Sequence, residues 1–265
     1  MSAWDDPDTA AYYEAFCRRH SRYTRANAAL VAHAFIAPGM HLLDLAAGTG
    51  RTAQAALRRL GDEGSIVCVE PALGMRTEGM RRLTDSRVQW SCSVPDATGS
   101  FDRILCGAAI WQLEPLCETI HALAGLLRPG GALCFNIPAT YLLEPEDPGA
   151  GSDPALVSLP ALLSALSEDP PTADVRDHWT PAPLSASAID TWLHAAGLEA
   201  ASWSFRVRMT QHAYADWLKI PAVTHRLLGA LTPHARARHI DAALSSVDRS
   251  SWKCERWRGW TAWKA

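Results

Sequence analysis

The chain has 265 residues, 48% of them hydrophobic and 20% charged, with a formal net charge of −3. That length suits one large α/β domain with insertions, or two small ones. The charge balance argues against a nucleic-acid partner, which needs a basic excess or stripe.

The N-terminus, MSAWDDPDTA, lacks the basic-then-apolar pattern of a secretion signal. No run of about 18 apolar residues could span a membrane, so a cytoplasmic protein with no membrane contact is expected. Seven cysteines are present without a CxxC pair, and Cys68, Cys106 and Cys134 lie in apolar runs. They read as buried free thiols, and no metal site is expected. His234 and His239 are five apart, a poor spacing for two ligands on one helix face.

In chain order, Asp8 to Ala37 reads as one or two helices, because Tyr12, Tyr13, Phe16 and Cys17, then Leu30, Val31, Ala34 and Phe35 recur at helical spacing. Pro38-Gly39 breaks that pattern. A buried strand follows (Leu42, Leu43, Leu45), then Gly48-Thr49-Gly50 and a helical run, Thr52 to Leu60. Further strands are expected at Ser65–Val69, Val88–Cys92, Phe101–Cys106 and Ala132–Ile137. Helices are expected at Met75–Leu83 and about Cys117–Leu127, with a turn at Arg128-Pro129-Gly130-Gly131. Strands alternating with helical runs imply βαβ units and a parallel sheet, whose strand C-termini share one ligand-binding edge.

Residues 139–184 are rich in proline, alanine and acids and read as an inserted cap with short helices, or as a mobile loop. A helix resumes over Ser185–Ala196, closed by Gly197. Trp203, Phe205, Val207 and Met209 then alternate with polar residues as a half-buried strand. A helical insertion, about 210–249, precedes a last strand carrying Trp257, Thr261 and Trp263 on one face. Trp192, Trp203, Trp217 and Trp257 are expected in the core or an interface. The organisation predicted is a single domain: a helical cap over 1–37, a core over 38–138, 185–209 and 250–265, and insertions between. The last strand is expected to give an otherwise parallel, Rossmann-like, seven-stranded sheet an antiparallel edge.

The chemistry centres on Met40 to Ala53. Taken alone, Gly48-x-Gly50-x-x-Ala53, with Glu70 about 20 residues on, fits the dinucleotide fingerprint of a nicotinamide oxidoreductase. Asp44 weighs against that reading, since a carboxylate beside the turn is unwelcome near a pyrophosphate. No Tyr-x-x-x-Lys pair exists for hydride chemistry, and a second mononucleotide half is missing.

Four segments together, DLAAGTG (Asp44–Gly50), VEP (Val69–Pro71), FDRILCGAAIWQLE (Phe101–Glu114) and LRPGG (Leu127–Gly131), make the chain resemble the class I S-adenosylmethionine-dependent methyltransferases. The resemblance implies S-adenosylmethionine as cofactor. Its zwitterionic amino-acid end suits open amides at Gly48 and Gly50 and the negative charge of Asp44, with Ala46, Thr49 and Pro71 alongside. It also implies that Glu70 takes the ribose hydroxyls, and that the backbone of Cys106 and Gly107 lies near the methionine end. An acidic residue often follows the third strand in that family. Here Ser93 or Val94 stands nearest that position, with Asp96 as a late substitute.

Methyl transfer is an in-line displacement that depends on alignment and water exclusion, and needs a base only when the acceptor must lose a proton. Asn136-Ile137-Pro138 resembles an amino-methylase signature, but it follows the fifth strand instead of the fourth, and the nucleic-acid reading is rejected. Tyr23 is the first choice for a residue near the transferred methyl, with His178 second. Tyr13, His20 and Trp111 are expected to wall the pocket, and His225 and His234 are weaker candidates. The sequence expectation is a small-molecule methyltransferase, monomeric or homodimeric, in a biosynthetic pathway. A methyltransferase-like protein that binds the cofactor without turnover is the rival from another class.

Overall fold

The computed structural model describes residues 3–6, 8–143, 184–228, 231–245 and 252–265. Strands β1 (His41–Leu45), β2 (Ser65–Val69), β3 (Val88–Ser91), β4 (Phe101–Gly107), β5 (Leu127–Pro138), β6 (Leu198–Thr210) and β7 (Trp252–Lys264) form one seven-stranded sheet in the order β3-β2-β1-β4-β5-β7-β6. The pairings from β3 through β5 are parallel, and β7 runs antiparallel to both its neighbours. The expected antiparallel strand therefore lies one place inside the rim, and β6 is the outer strand.

Helices α1 (Thr9–Arg19) and α2 (Arg22–His33) precede the sheet. The crossovers are α3 (Arg51–Leu60), α4 (Leu73–Arg82), α5 (Leu116–Leu126) and α6 (Ala186–Ala195). Between β6 and β7 come α7 (Gln211–Leu218), α8 (Pro221–Leu228) and α9 (Pro233–Leu244), three helices among the described residues of the second insertion. Ser185, Thr210 and Thr232 cap α6, α7 and α9 with their side-chain oxygens.

Alternation along the strands builds two cores. Leu42 faces α2 and α3, among Leu30, Ala53, Leu57, Ile66 and Leu105. Leu43 and Leu45 face the other layer, with Ile104, Ile120, Leu133, Phe135 and Leu193. Helix-covered parallel strands are buried on both faces, which is why β1 reads as a continuous apolar run. β7 behaves the same way: Trp257 and Thr261 are buried on one side, and Trp260 and Ala262 on the other. A third apolar cluster joins Phe16 and Tyr23 to Val207, Trp217, Ile240 and Trp257, seating the α7–α9 insertion on the N-terminal helices.

The predicted turn at Arg128–Gly131 is a looped-out stretch inside β5. Leu127 pairs with Phe101, and the next paired residue is Ala132, opposite Arg103. The strand order reverses at β1, which lies between β2 and β4, and the crevice of the sheet opens at the C-terminal end of β1. Among the described residues, no helix is long and apolar enough to cross a membrane.

Candidate functional site

At the end of β1 the backbone turns through left-handed conformations at Ala46 (φ 52°), Gly48 (φ 57°) and Gly50 (φ 77°). Glycine adopts these freely, whereas Ala46 is strained. The Gly50 N–H donates to the Ala47 carbonyl at 2.8 Å, closing the turn before α3. A Cβ at Gly50 would come within 3.0 Å of the Trp90 ring, so close approach as well as φ requires glycine there.

Asp44, fully buried in β1, accepts the Ala53 N–H on Oδ2 at 2.9 Å and so caps α3. Its other oxygen, Oδ1, has no partner among the described residues. Burial, with the nearby charge of Glu70 adding to it, pushes the Asp44 carboxyl up to about 8 against the pull of the Ala53 hydrogen bond. An orphaned, buried carboxylate oxygen is costly alone and suits a ligand that brings an N–H⁺ donor.

At the end of β2, Glu70 Oε2 accepts the Gly48 N–H at 2.8 Å and Oε1 accepts the Ala72 N–H at 2.9 Å. Burial raises the Glu70 carboxyl, and these two hydrogen bonds oppose the rise. Two accepted bonds leave further lone-pair capacity for hydroxyl donors. Pro71 follows, its carbonyl and that of Glu70 both taking the Arg76 guanidinium. Asp44 and Glu70 thus face one glycine turn from adjacent strands, and this set of acceptors fits an amino acid joined to a nucleoside.

The turn has a roof that periodicity alone did not reveal. Glu14, buried on α1, accepts the Thr49 hydroxyl. It also takes Arg51 at 3.0 and 2.6 Å, and Arg82 Nε lies 3.0 Å from it. Arg82 closes the set by donating to the Thr49 carbonyl at 2.6 Å. The available signal was an acid on the apolar stripe Ala10, Tyr13, Glu14, Cys17 of an otherwise amphipathic helix. Trp4 extends the roof with an indole hydrogen bond to Gln112 at 2.7 Å, just past the exit of β4.

Cys106 is buried in β4, and burial pushes its thiol up, removing it as a nucleophile. Gly107 has no room for a side chain: a Cβ would lie 2.6 Å from Thr52 Oγ1 and 3.0 Å from Asn27 Oδ1. Ala108 follows at φ 56°. Asn136 on β5 accepts the Ala108 N–H and donates to the Ala26 carbonyl, both at 2.9 Å. Its side chain thus ties β5 to the Ala108 backbone and to α2. Ser93 and Val94 are exposed beyond β3, where the Ser93 N–H donates to Ser91 Oγ at 3.2 Å.

Of the expected pocket residues, Tyr13 and Tyr23 pack together with ring centroids 5.3 Å apart. The Tyr23 hydroxyl accepts the Trp217 indole N–H at 3.0 Å, and burial raises both phenols, holding them protonated. Trp111 stacks on Tyr141 at 4.7 Å. His20, in contrast, turns to Asp216 on α7, with Nε2 2.9 Å from Oδ2. His178 lies outside the described residues. Sequence reasoning missed Arg22 and Glu255, a buried bidentate pair at 2.8 Å. The Arg22 guanidinium lies 4.9 Å from the rings of Tyr23, Trp217 and Trp257.

Comparison with known proteins agrees with this geometry. A family model described as a methyltransferase domain matches residues 42–131, from β1 to the loop inside β5. The ubiquinone/menaquinone biosynthesis C-methyltransferase UbiE of Bordetella parapertussis is 30% identical over 109 residues, 39% of this chain and 42% of that protein. A demethylmenaquinone methyltransferase of Beutenbergia cavernae is 31% identical over 168 residues, 60% of this chain and 66% of that one. The matches thus span less than two thirds of these relatives. Among solved structures, the YcgJ protein of Bacillus subtilis superposes with a TM-score of 0.58 at 17% identity, covering 91% of this chain and 98% of that chain. That likeness shows the fold.

Proposed function

We propose that this chain is a class I S-adenosylmethionine-dependent methyltransferase, as the matched methyltransferase domain and the named relatives support, and that it transfers a methyl group to a small aromatic acceptor by in-line displacement. The observation that carries the reading is the pairing of Asp44 and Glu70 across the Gly48–Gly50 turn, with Asp44 Oδ1 buried and without a partner among the described residues. When bound, S-adenosylmethionine supplies an electrophilic methyl on a sulfonium. The Gly48 and Gly50 amides, expected to be open, are instead taken by Glu70 and by the Ala47 carbonyl. Asp44 would therefore hold the ammonium of the amino-acid end and Glu70 the ribose, with Ser93 and Val94 beside the base.

The chain's own part in the reaction is to orient the acceptor and exclude water. In this reading the packed pairs Tyr13–Tyr23 and Trp111–Tyr141 supply the flat apolar surfaces against which the acceptor lies. In this reading Tyr23, kept protonated by burial and hydrogen-bonded by Trp217, donates a hydrogen bond to an acceptor oxygen and does not remove a proton. The relatives named for quinone-pathway methylation support an aromatic ring as the acceptor class.

The test is turnover with isotope-labelled S-adenosylmethionine and a panel of quinols, phenols and aromatic carboxylates, followed by mass spectrometry. Gain of one labelled methyl by an aromatic compound is the expected result. Transfer only to aliphatic amines or to macromolecules would overturn the acceptor class. Tight binding of the homocysteine product without any turnover, on this panel or on host extracts, would make the chain a non-catalytic binding protein.

A further inference from the structure

We propose a second site, independent of methyl transfer: a divalent transition-metal site of the zinc class, formed by His20, His212 and Asp216, that clamps α1 to the α7–α9 insertion. Residues 212 and 216 stand one turn apart on α7, the spacing that puts two ligands on one helix face. His20 arrives from the C-terminal end of α1. His20 Nε2 lies 2.9 Å and His212 Nε2 3.6 Å from Asp216 Oδ2, and the ligand atoms all fall within 4.8 Å of one another. Two ligands about 2.0–2.1 Å from a tetrahedral zinc ion stand about 3.3 Å apart, so the first two separations bracket the value required. The imidazole rings, with centroids 5.6 Å apart, meet edge to face over the same carboxylate oxygen.

The surroundings support a three-ligand site with its fourth position open to water. His212 is exposed, His20 is partly exposed, and Asp216 is buried, so the set forms a shallow cup on the surface. Two cations also face Asp216. Lys219 Nζ lies 3.4 Å from Oδ1 and 2.5 Å from Asp241 Oδ1, so it serves the oxygen away from the histidines and fixes the carboxylate from behind. Arg19 Nη1 stands 3.5 Å from Oδ2 with its side chain 65% exposed. It competes for the ligand oxygen and swings into solvent when an ion enters.

This arrangement makes a prediction that a bare histidine–aspartate ion pair does not. Removing a competing cation tightens metal binding, while removing an imidazole weakens it. The experiment is titration of the chelator-treated protein with zinc against a competing chromophoric chelator, and with cobalt followed by absorbance. The wild type is expected to bind one equivalent, and cobalt to show tetrahedral ligand-field bands without a thiolate charge-transfer band. His212→Ala, a surface change, should lose at least about tenfold in affinity and His20→Ala as much. Arg19→Gln should bind more tightly than wild type. Absence of stoichiometric binding, a thiolate band, or affinity unchanged in His212→Ala would overturn the proposal.

Discussion

At the scale of single residues, the site depends on backbone angles and orphaned atoms that no side-chain inventory displays. Ala46 sits at φ 52°, where its Cβ crowds the following carbonyl. Ala46→Gly should raise unfolding stability by about 0.5–1 kcal/mol, read from a denaturant midpoint at unchanged m-value. A loss of stability would show that the strain is absent. Asp44 makes a pH prediction. Its carboxyl is raised to about 8, so between its ordinary value and that point the folded protein holds a proton that the unfolded chain releases. The contribution of Asp44 to stability is therefore greatest in acid and falls as pH rises towards 8. A cationic amine prefers the ionised form, so affinity for S-adenosylhomocysteine should increase from about pH 6 to pH 8 in the wild type and stay flat and weak in Asp44→Asn. A pH-independent affinity in the wild type would remove Asp44 from the amine site. Asp44 and Glu70 were legible because each stands at the end of an apolar strand. The partner of Glu14 was not, because the contact spans 35 positions of sequence.

At the scale of elements, α1 is a roof held by one buried acid. Glu14 neutralises Arg51 and Arg82 at once, and its removal leaves two partly buried guanidinium groups facing each other. Glu14→Ala should cost about 2–4 kcal/mol in stability, and Glu14→Gln less, because the amide retains a hydrogen-bond acceptor. Equal stability in all three proteins would show that the cluster is solvated. Element type was readable wherever apolar period and breakers agreed, as at β1, α3 and α6. It was less readable where glycine and proline suggested a plain turn. Arg128–Gly131 loops out while β5 continues on both sides, because Leu127 still pairs with Phe101. The 210–249 insertion could be read as helical, but its division into three helices depends on the Thr210 and Thr232 caps and on packing against α1.

At the scale of the molecule, the order β3-β2-β1-β4-β5-β7-β6 brings the ends of β1, β2 and β4 together beneath the N-terminal helices. Strand–helix alternation announced the parallel half. The sequence expectation puts the antiparallel strand at the edge, whereas β7 lies inside β6, with Trp257 and Trp260 buried on its opposite faces. The central claim is that the cradle formed by Asp44, the Gly48–Gly50 turn and Glu70 receives an amino acid joined to a nucleoside, not a dinucleotide. Calorimetric titration of the purified protein with S-adenosylhomocysteine and with reduced nicotinamide dinucleotide tests it most directly. The account predicts one equivalent of S-adenosylhomocysteine bound and no binding of the dinucleotide. Glu70→Ala should weaken the former by about 1–3 kcal/mol. Binding of the dinucleotide without S-adenosylhomocysteine, or an unchanged affinity in Glu70→Ala, would contradict it.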